Sequence, residues 1–196
     1  FFGLKFYVDY RVLIPRPETE LMVEWILNLP LNKNSKVLEI GTGSGCISIS
    51  IALHCPYLKM IASDISDLAM EVANINKKKH QVKNLVFVCS DWLSFIQPES
   101  IDLIVSNPPY LHPNDNHLKE LKHEPLLALI SQDGSKSFSE ISQQAMIALK
   151  PDGKIILEHG YSQAAEVRNI LQNSGFKNIR SEQDHQGLDR FIHADK

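Results

Sequence analysis

The tightest restriction on the fold of this chain lies between residues 36 and 54. Lys36-Val37-Leu38-Glu39-Ile40 reads as a short buried strand built on Val37, Leu38 and Ile40, and Cys46 to His54 is a mostly apolar run of helix length. Only Gly41-Thr42-Gly43-Ser44-Gly45 separates them. Adjacent apolar residues that point to opposite faces of a strand, and a helix that is apolar on most of its surface, need cover on both sides, so both elements are expected inside the protein. A buried strand that turns within a few residues into a buried helix is the start of a βα unit, and glycines supply the backbone freedom for the turn.

The same alternation continues downstream. Lys59–Asp64 reads as a second strand, followed by a helix opened by Ser66 with Leu68, Val72 and Ile75 on one face. Leu85–Val88 and Ile101–Val105 are the third and fourth strands. Phe138–Leu149 is a helix stopped by Pro151-Asp152-Gly153, Lys154–Leu157 a fifth strand, and Val167, Ile170 and Leu171 mark a helix stopped at Gly175. The last two strands, Lys177–Glu182 and Leu188–His193, have no helix between them and are expected to pair antiparallel. Strands alternating with helices imply right-handed crossovers. The expected fold is α/β: a doubly wound, mostly parallel seven-stranded sheet with an antiparallel C-terminal hairpin at one edge.

Upstream, Glu18–Leu29 reads as a helix stopped by Pro30, with Leu21, Met22, Trp25 and Leu29 as its apolar face. Residues 1–30 are expected to form an N-terminal segment and linker helix, and residues 31–196 the main domain. The opening Phe1-Phe2-Gly3, without an initiator Met, is read as a cut through a longer protein with a preceding domain. Leu111–Ser137 has no clear period, and such a stretch in a compact domain more often carries function than not.

Composition removes several classes of function. Lys plus Arg number 20 and Asp plus Glu 23, a net charge of -3, which does not suit a chain that grips nucleic acid by charge. No apolar run approaches the roughly 18 residues that cross a bilayer, so no membrane contact is expected. The 3 cysteines, Cys46, Cys55 and Cys89, lack CxxC spacing, which disfavours disulfides and zinc and suits a reducing, cytoplasmic compartment. His112, His117 and His123 near Asp115 and Glu120 match no standard metal cage.

Three segments carry chemistry. In the first, Glu39 precedes Gly41, Thr42, Gly43, Ser44 and Gly45 at the strand–helix junction. This GxGxG spacing differs from the dinucleotide pattern GxGxxG, and an acidic residue before the glycines suits a cationic amino group better than a phosphate. A turn that only packs closely would use the same glycines. In the second, Asp64 ends the second strand, where a carboxylate can accept both hydroxyls of a ribose; an N-capping or solvated Asp is the plainer reading. Asp91 and Trp92 follow the third strand and could hold the edge and face of an adenine, while Trp92 could equally be a core aromatic.

The third segment is Ser106-Asn107-Pro108-Pro109-Tyr110, after the fourth strand. Two prolines fix the backbone and remove two donors, leaving carbonyls free to accept. Asn107 adds a side-chain oxygen, and Tyr110 a ring that can lie on a planar group. The set suits a neutral planar NH2: a carboxamide or the exocyclic amine of a base.

Residues 36–110 resemble the class I S-adenosylmethionine-dependent methyltransferases that carry an NPPY motif. Leu13-Ile14-Pro15-Arg16-Pro17-Glu18-Thr19-Glu20 makes the chain similar to the HemK/PrmC family, the release-factor glutamine methyltransferases. Glu124-Pro125 through Asp133-Gly134, Leu157-Glu158-His159-Gly160, and the spacing of Asp184, Gly187 and Arg190 extend the match. Ile130-Ser131-Gln132 departs from the glycine often found ahead of Asp-Gly.

The resemblance implies a class I methyltransferase fold preceded by a helical domain. It implies S-adenosylmethionine as cofactor, S-adenosylhomocysteine as product, and the glutamine of the Gly-Gly-Gln loop of class I peptide chain release factors as substrate. Cofactor contacts would come from Glu39, Gly41–Gly45, Asp64, Asp91, Trp92 and Asn107. Asn107, Pro108 and Tyr110 would be catalytic, and with Pro109 would bind substrate. No direct nucleic-acid partner is implied, and a monomer is expected. The rival readings are a ribosomal-protein glutamine methyltransferase, an amino-methyltransferase of nucleic acid, and a non-catalytic nucleotide-binding module.

Overall fold

The computed structural model describes every residue from Phe1 to Lys196. The chain runs α1 (Glu18–Leu27), β1 (Lys36–Ile40), α2 (Cys46–His54), β2 (Lys59–Asp64), α3 (Asp67–Lys79), β3 (Leu85–Cys89) and β4 (Ile101–Ser106). It continues through α4 (Leu126–Leu129), α5 (Lys136–Ala148), β5 (Leu149–Glu158), α6 (Ala164–Asn173), β6 (Lys177–Gln183) and β7 (Asp189–Asp195). The sheet order is β3-β2-β1-β4-β5-β7-β6. Strands β1 to β5 are parallel to one another, and β7 lies antiparallel between β5 and the edge strand β6. This is the expected α/β sheet with its C-terminal hairpin at an edge. No helix is long and apolar enough to cross a membrane.

Two cores flank the sheet. Met22, Val23 and Ile26 of α1 join Ile47, Ile49 and Ile51 of α2 against Val37, Leu103 and Ile156. On the opposite face Phe138, Ile141 and Ala145 of α5 and Val167 and Leu171 of α6 meet Leu38, Ile40, Ile104 and Leu157. Val37 and Leu38 enter different cores because successive strand residues point to opposite faces. Helix α1 thus shares its core with the sheet.

Three local expectations are corrected. On α3 the buried stripe is Ala69, Met70, Val72, Ala73 and Asn76, whereas Leu68 and Ile75 are exposed. Small residues let the helix lie close to its neighbours, and a buried asparagine makes hydrogen bonds that hydropathy does not register. On α1 the deepest residues are Met22, Val23 and Ile26, with Leu21 and Trp25 packed at the margin; the helix ends at Leu27, and Leu29 packs on the same core just beyond it. The Phe138–Leu149 helix instead starts at Lys136 and ends at Ala148, and β5 begins at once with Leu149. Pro151-Asp152-Gly153 falls inside that strand as an irregularity between the pairs Ile101–Leu149 and Leu103–Lys154, with Asp152 at φ 62°.

Residues before α1 form a strap across α3. Val12 is buried against Ala69 and Val72. Asn76 receives the Tyr7 N–H at 2.7 Å and donates to the Tyr7 carbonyl at 2.9 Å.

Candidate functional site

Sheet order reverses direction between β1 and β4, and a crevice opens there beyond the carboxyl ends of the strands. It holds a cavity of about 270 Å³ whose wall includes Gly41, Gly43, Asp64, Asp91, Trp92 and Asn107. The strap closes one side with Arg11, Val12 and Leu13, and the 125–132 segment closes the other. A second cavity of about 230 Å³ is lined by Arg16, Pro108, Tyr110, His117 and Glu120 among others. The two share Leu13, Asn107 and Ala128, so Asn107 stands in their common wall.

The glycine turn divides its work. An added Cβ at Gly43 would meet no protein atom within 4 Å, whereas at Gly45 it would lie 3.0 Å from Ile49 Cδ1 and 3.2 Å from Phe87 Cζ. Gly43 therefore keeps the cavity wall bare, and Gly45, at φ +79°, lets α2 lie against the sheet. The turn's donors are already engaged: the Thr42 N–H reaches the Ser63 carbonyl at 2.9 Å and the Gly43 N–H reaches Asp64 Oδ2 at 2.9 Å.

Glu39 lies behind the turn, fully buried. Its Oε2 accepts from Thr42 Oγ1 at 2.5 Å and from the Ser48 N–H, in the first turn of α2, at 3.0 Å. A carboxylate thus caps the helix end that a dinucleotide pyrophosphate would occupy, and it would repel one. Burial pushes the Glu39 carboxyl up to about 7, opposed by the Ser48 and Thr42 bonds. Its Oε1 has no protein partner. Thr42, Ser44 and Gly45 also lie behind the cavity wall, and the Ser44 carbonyl accepts from Asn76 Nδ2 at 2.9 Å.

Asp64 faces the cavity. Its two oxygens accept from the Gly43 and Ser66 N–H groups at 2.9 Å each, which leaves a lone pair on each for a diol. Burial raises its pKa against those backbone bonds. The Trp92 indole N–H donates to Glu140 Oε2 at 2.9 Å, and the residue also packs on the core that contains α5. Asp91 is exposed at the cavity wall.

Asn107, Pro108, Pro109 and Tyr110 follow β4 directly. Pro109 lines the first cavity, Pro108 and Tyr110 the second, and Asn107 both. The Asn107 Nδ2 donates to Glu158 Oε1 at 2.9 Å and toward Thr19 Oγ1 at 3.4 Å. Burial, with Glu158 nearby, pushes the Tyr110 hydroxyl up to about 12, so the ring is neutral at ordinary pH.

Sequence reasoning gave no role to Glu158, Thr19 or Glu124, although each lies in a segment quoted for the resemblance. Glu124 accepts from the Ile14 N–H at 3.1 Å and from Arg16 at 2.5 Å, which ties the strap to the segment after β4. His117 pairs with Asp115 at 2.8 Å on the surface. The signal for Glu158 was an acidic residue directly after the apolar run Ile155-Ile156-Leu157.

The Methyltransferase small domain family matches residues 17–187. The chain is 40% identical to a release factor glutamine methyltransferase of Coxiella burnetii, over 99% of this chain and 71% of that protein. It is 39% identical to one of Shewanella oneidensis, over 97% of this chain and 68% of that protein. Among solved structures, a methyltransferase of Pyrococcus furiosus superposes with a TM-score of 0.74 at 18% identity, covering 100% of this chain and 90% of that one, a likeness of fold.

Proposed function

From the premise that this chain belongs to the release factor glutamine methyltransferase family, we propose that it methylates the side-chain amide nitrogen of the glutamine in the Gly-Gly-Gln loop of class I release factors. The observation that carries this reading is the place of Asn107, in the wall shared by two adjoining cavities. The first cavity takes the methyl donor and the second the glutamine.

S-adenosylmethionine fits the first cavity's chemistry. Asp64 retains acceptor capacity for a ribose diol, Asp91 and Trp92 offer a carboxylate and a ring for the base, and Gly43 leaves the wall free of side chain. Gly41 also lines that wall, while Glu39 Oε1 is a buried acceptor without a protein partner beneath the turn. When bound, this cofactor supplies an electrophilic methyl on a sulfonium centre.

An amide nitrogen is a weak nucleophile, because its lone pair is delocalised into the carbonyl. Asn107 Oδ1 and the Pro108 carbonyl accept the two amide hydrogens. Those bonds favour the positive charge that grows on nitrogen as it attacks, and they aim its lone pair at the first cavity. Tyr110, neutral and partly buried, holds the amide plane. No strong base is needed before transfer, since the nitrogen becomes acidic only once it carries the methyl group; that nitrogen bonds the methyl carbon as the C–S bonding pair departs with sulfur, and then gives up one proton to water.

The test is methyl transfer from labelled S-adenosylmethionine to purified release factor, ribosomal protein or nucleic acid. Label on the release-factor glutamine is expected, and label on the other acceptors alone would overturn the reading. Asn107→Ala is expected to bind cofactor nearly normally and lose turnover; full turnover would remove Asn107 from the chemistry.

A further inference from the structure

Asn107 can serve as an acceptor only in one orientation. Its carboxamide has an oxygen and an NH2 of nearly equal size, and a half-turn about the last side-chain bond exchanges them. In the wrong orientation it would present a donor to an incoming amide NH2, and donor would face donor. Nothing within Asn107 itself chooses between the two.

Glu158 makes that choice. It ends β5, one strand from Asn107, and is buried. Its Oε1 accepts from Asn107 Nδ2 at 2.9 Å, while Thr19 Oγ1 lies 3.4 Å from the same nitrogen. An ionised carboxylate has no hydrogen to donate, so it accepts Nδ2–H and repels Oδ1. We propose that Glu158 is a positioning residue for methyl transfer, whose carboxylate holds the Asn107 carboxamide with its oxygen toward the substrate cavity. This rests on the reading that Asn107 accepts an amide hydrogen.

A protonated Glu158 would lose the selection, because its O–H could donate to a reversed Asn107. The groups around it set when that happens. Glu18 and Thr19 of α1, Cys46 of α2, Tyr110 after β4 and Arg190 of β7 all face it. Burial and Glu18 favour the protonated form, and Arg190, Thr19 and Asn107 the ionised one; burial dominates and the carboxyl sits at about 7. Turnover should therefore fall as acid neutralises Glu158, with no matching change in cofactor affinity.

The experiment compares wild-type protein with Glu158→Gln by single-turnover methylation of a purified class I release factor, at saturating S-adenosylmethionine, across about pH 6 to 8.5. A glutamine at 158 offers Asn107 either a donor or an acceptor, so orientation is no longer enforced. The expected result is a drop of at least about twofold in rate at the alkaline end, from a competent Asn107 orientation that is no longer favoured, with unchanged cofactor Kd, and loss of the acid limb seen in wild type. A wild-type rate, or an acid limb retained in the variant, overturns the proposal. Should Glu158→Gln not fold, Glu158→Asp decides in the same assay: its shorter side chain draws the carboxylate back from Asn107 Nδ2, so a lowered rate at unchanged cofactor Kd supports the proposal and a wild-type rate overturns it. Asn107→Ala separates the two readings. Full turnover in that variant overturns both, whereas inactivity beside a wild-type-like Glu158→Gln overturns only the positioning role.

Discussion

Replacing Asn76 with alanine should cost this fold far more than a polar-to-alanine change on an outward-looking helix normally would. Asn76 is completely buried on α3 and makes three hydrogen bonds: from the Tyr7 N–H at 2.7 Å, to the Tyr7 carbonyl at 2.9 Å, and to the Ser44 carbonyl at 2.9 Å. Each bond contributes about 1 kcal/mol net, and the buried Ser44 carbonyl, left without its partner, adds about 1 kcal/mol or more. The sum is about 4 kcal/mol, a large share of the stability of a domain this size. The loss has a direction as well as a size, since the side chain joins the strap before α1 to the glycine turn. Arg11, Val12 and Leu13 of that strap line the first cavity. Urea unfolding of Asn76→Ala should show the loss, the Tyr7 amide should exchange faster with solvent, and S-adenosylmethionine should bind more weakly. A destabilisation under about 1 kcal/mol with unaltered exchange at Tyr7 would refute the argument that Asn76 staples the strap in place.

Two further predictions concern the carboxylates. Asp64→Ala removes the proposed diol acceptor and should weaken S-adenosylmethionine binding about 100-fold by calorimetry, equivalent to about 3 kcal/mol for two charge-assisted bonds; unchanged affinity would reject the ribose role. Glu39 and Glu158 are both raised from 4.5 to about 7 by burial, so between those values the folded protein holds more protons than the unfolded chain. Their contribution to stability therefore grows as pH falls through about 7 and is complete below about 4.5, worth about 2 kcal/mol per group between about pH 7.5 and 5.5. His159, whose pKa burial lowers, acts in the opposite sense. Urea titrations of cofactor-free protein at those two pH values should show a gain on acidification that shrinks by about 2 kcal/mol in Glu158→Gln; an equal gain in both proteins would contradict the buried-carboxylate assignment.

Sequence alone determined the order of strands and helices, the switch to an antiparallel hairpin, and the three turns that carry the site. Those features are local. A strand run followed by glycines, or two prolines after an asparagine, restricts the backbone wherever it occurs, and parallel strands bring their carboxyl ends to one edge. The tertiary structure decided what stands behind those turns. Glu39 caps α2 and Asn76 binds both Tyr7 and Ser44. Glu158, far along the chain from Asn107, holds its amide. Each is a buried polar group bonded to a different element of the fold, and burial makes those bonds count because water is not there to replace them. Hydropathy counts such a residue only as an interruption of an apolar pattern. Packing supplies its partner, and with it the orientation the site depends on.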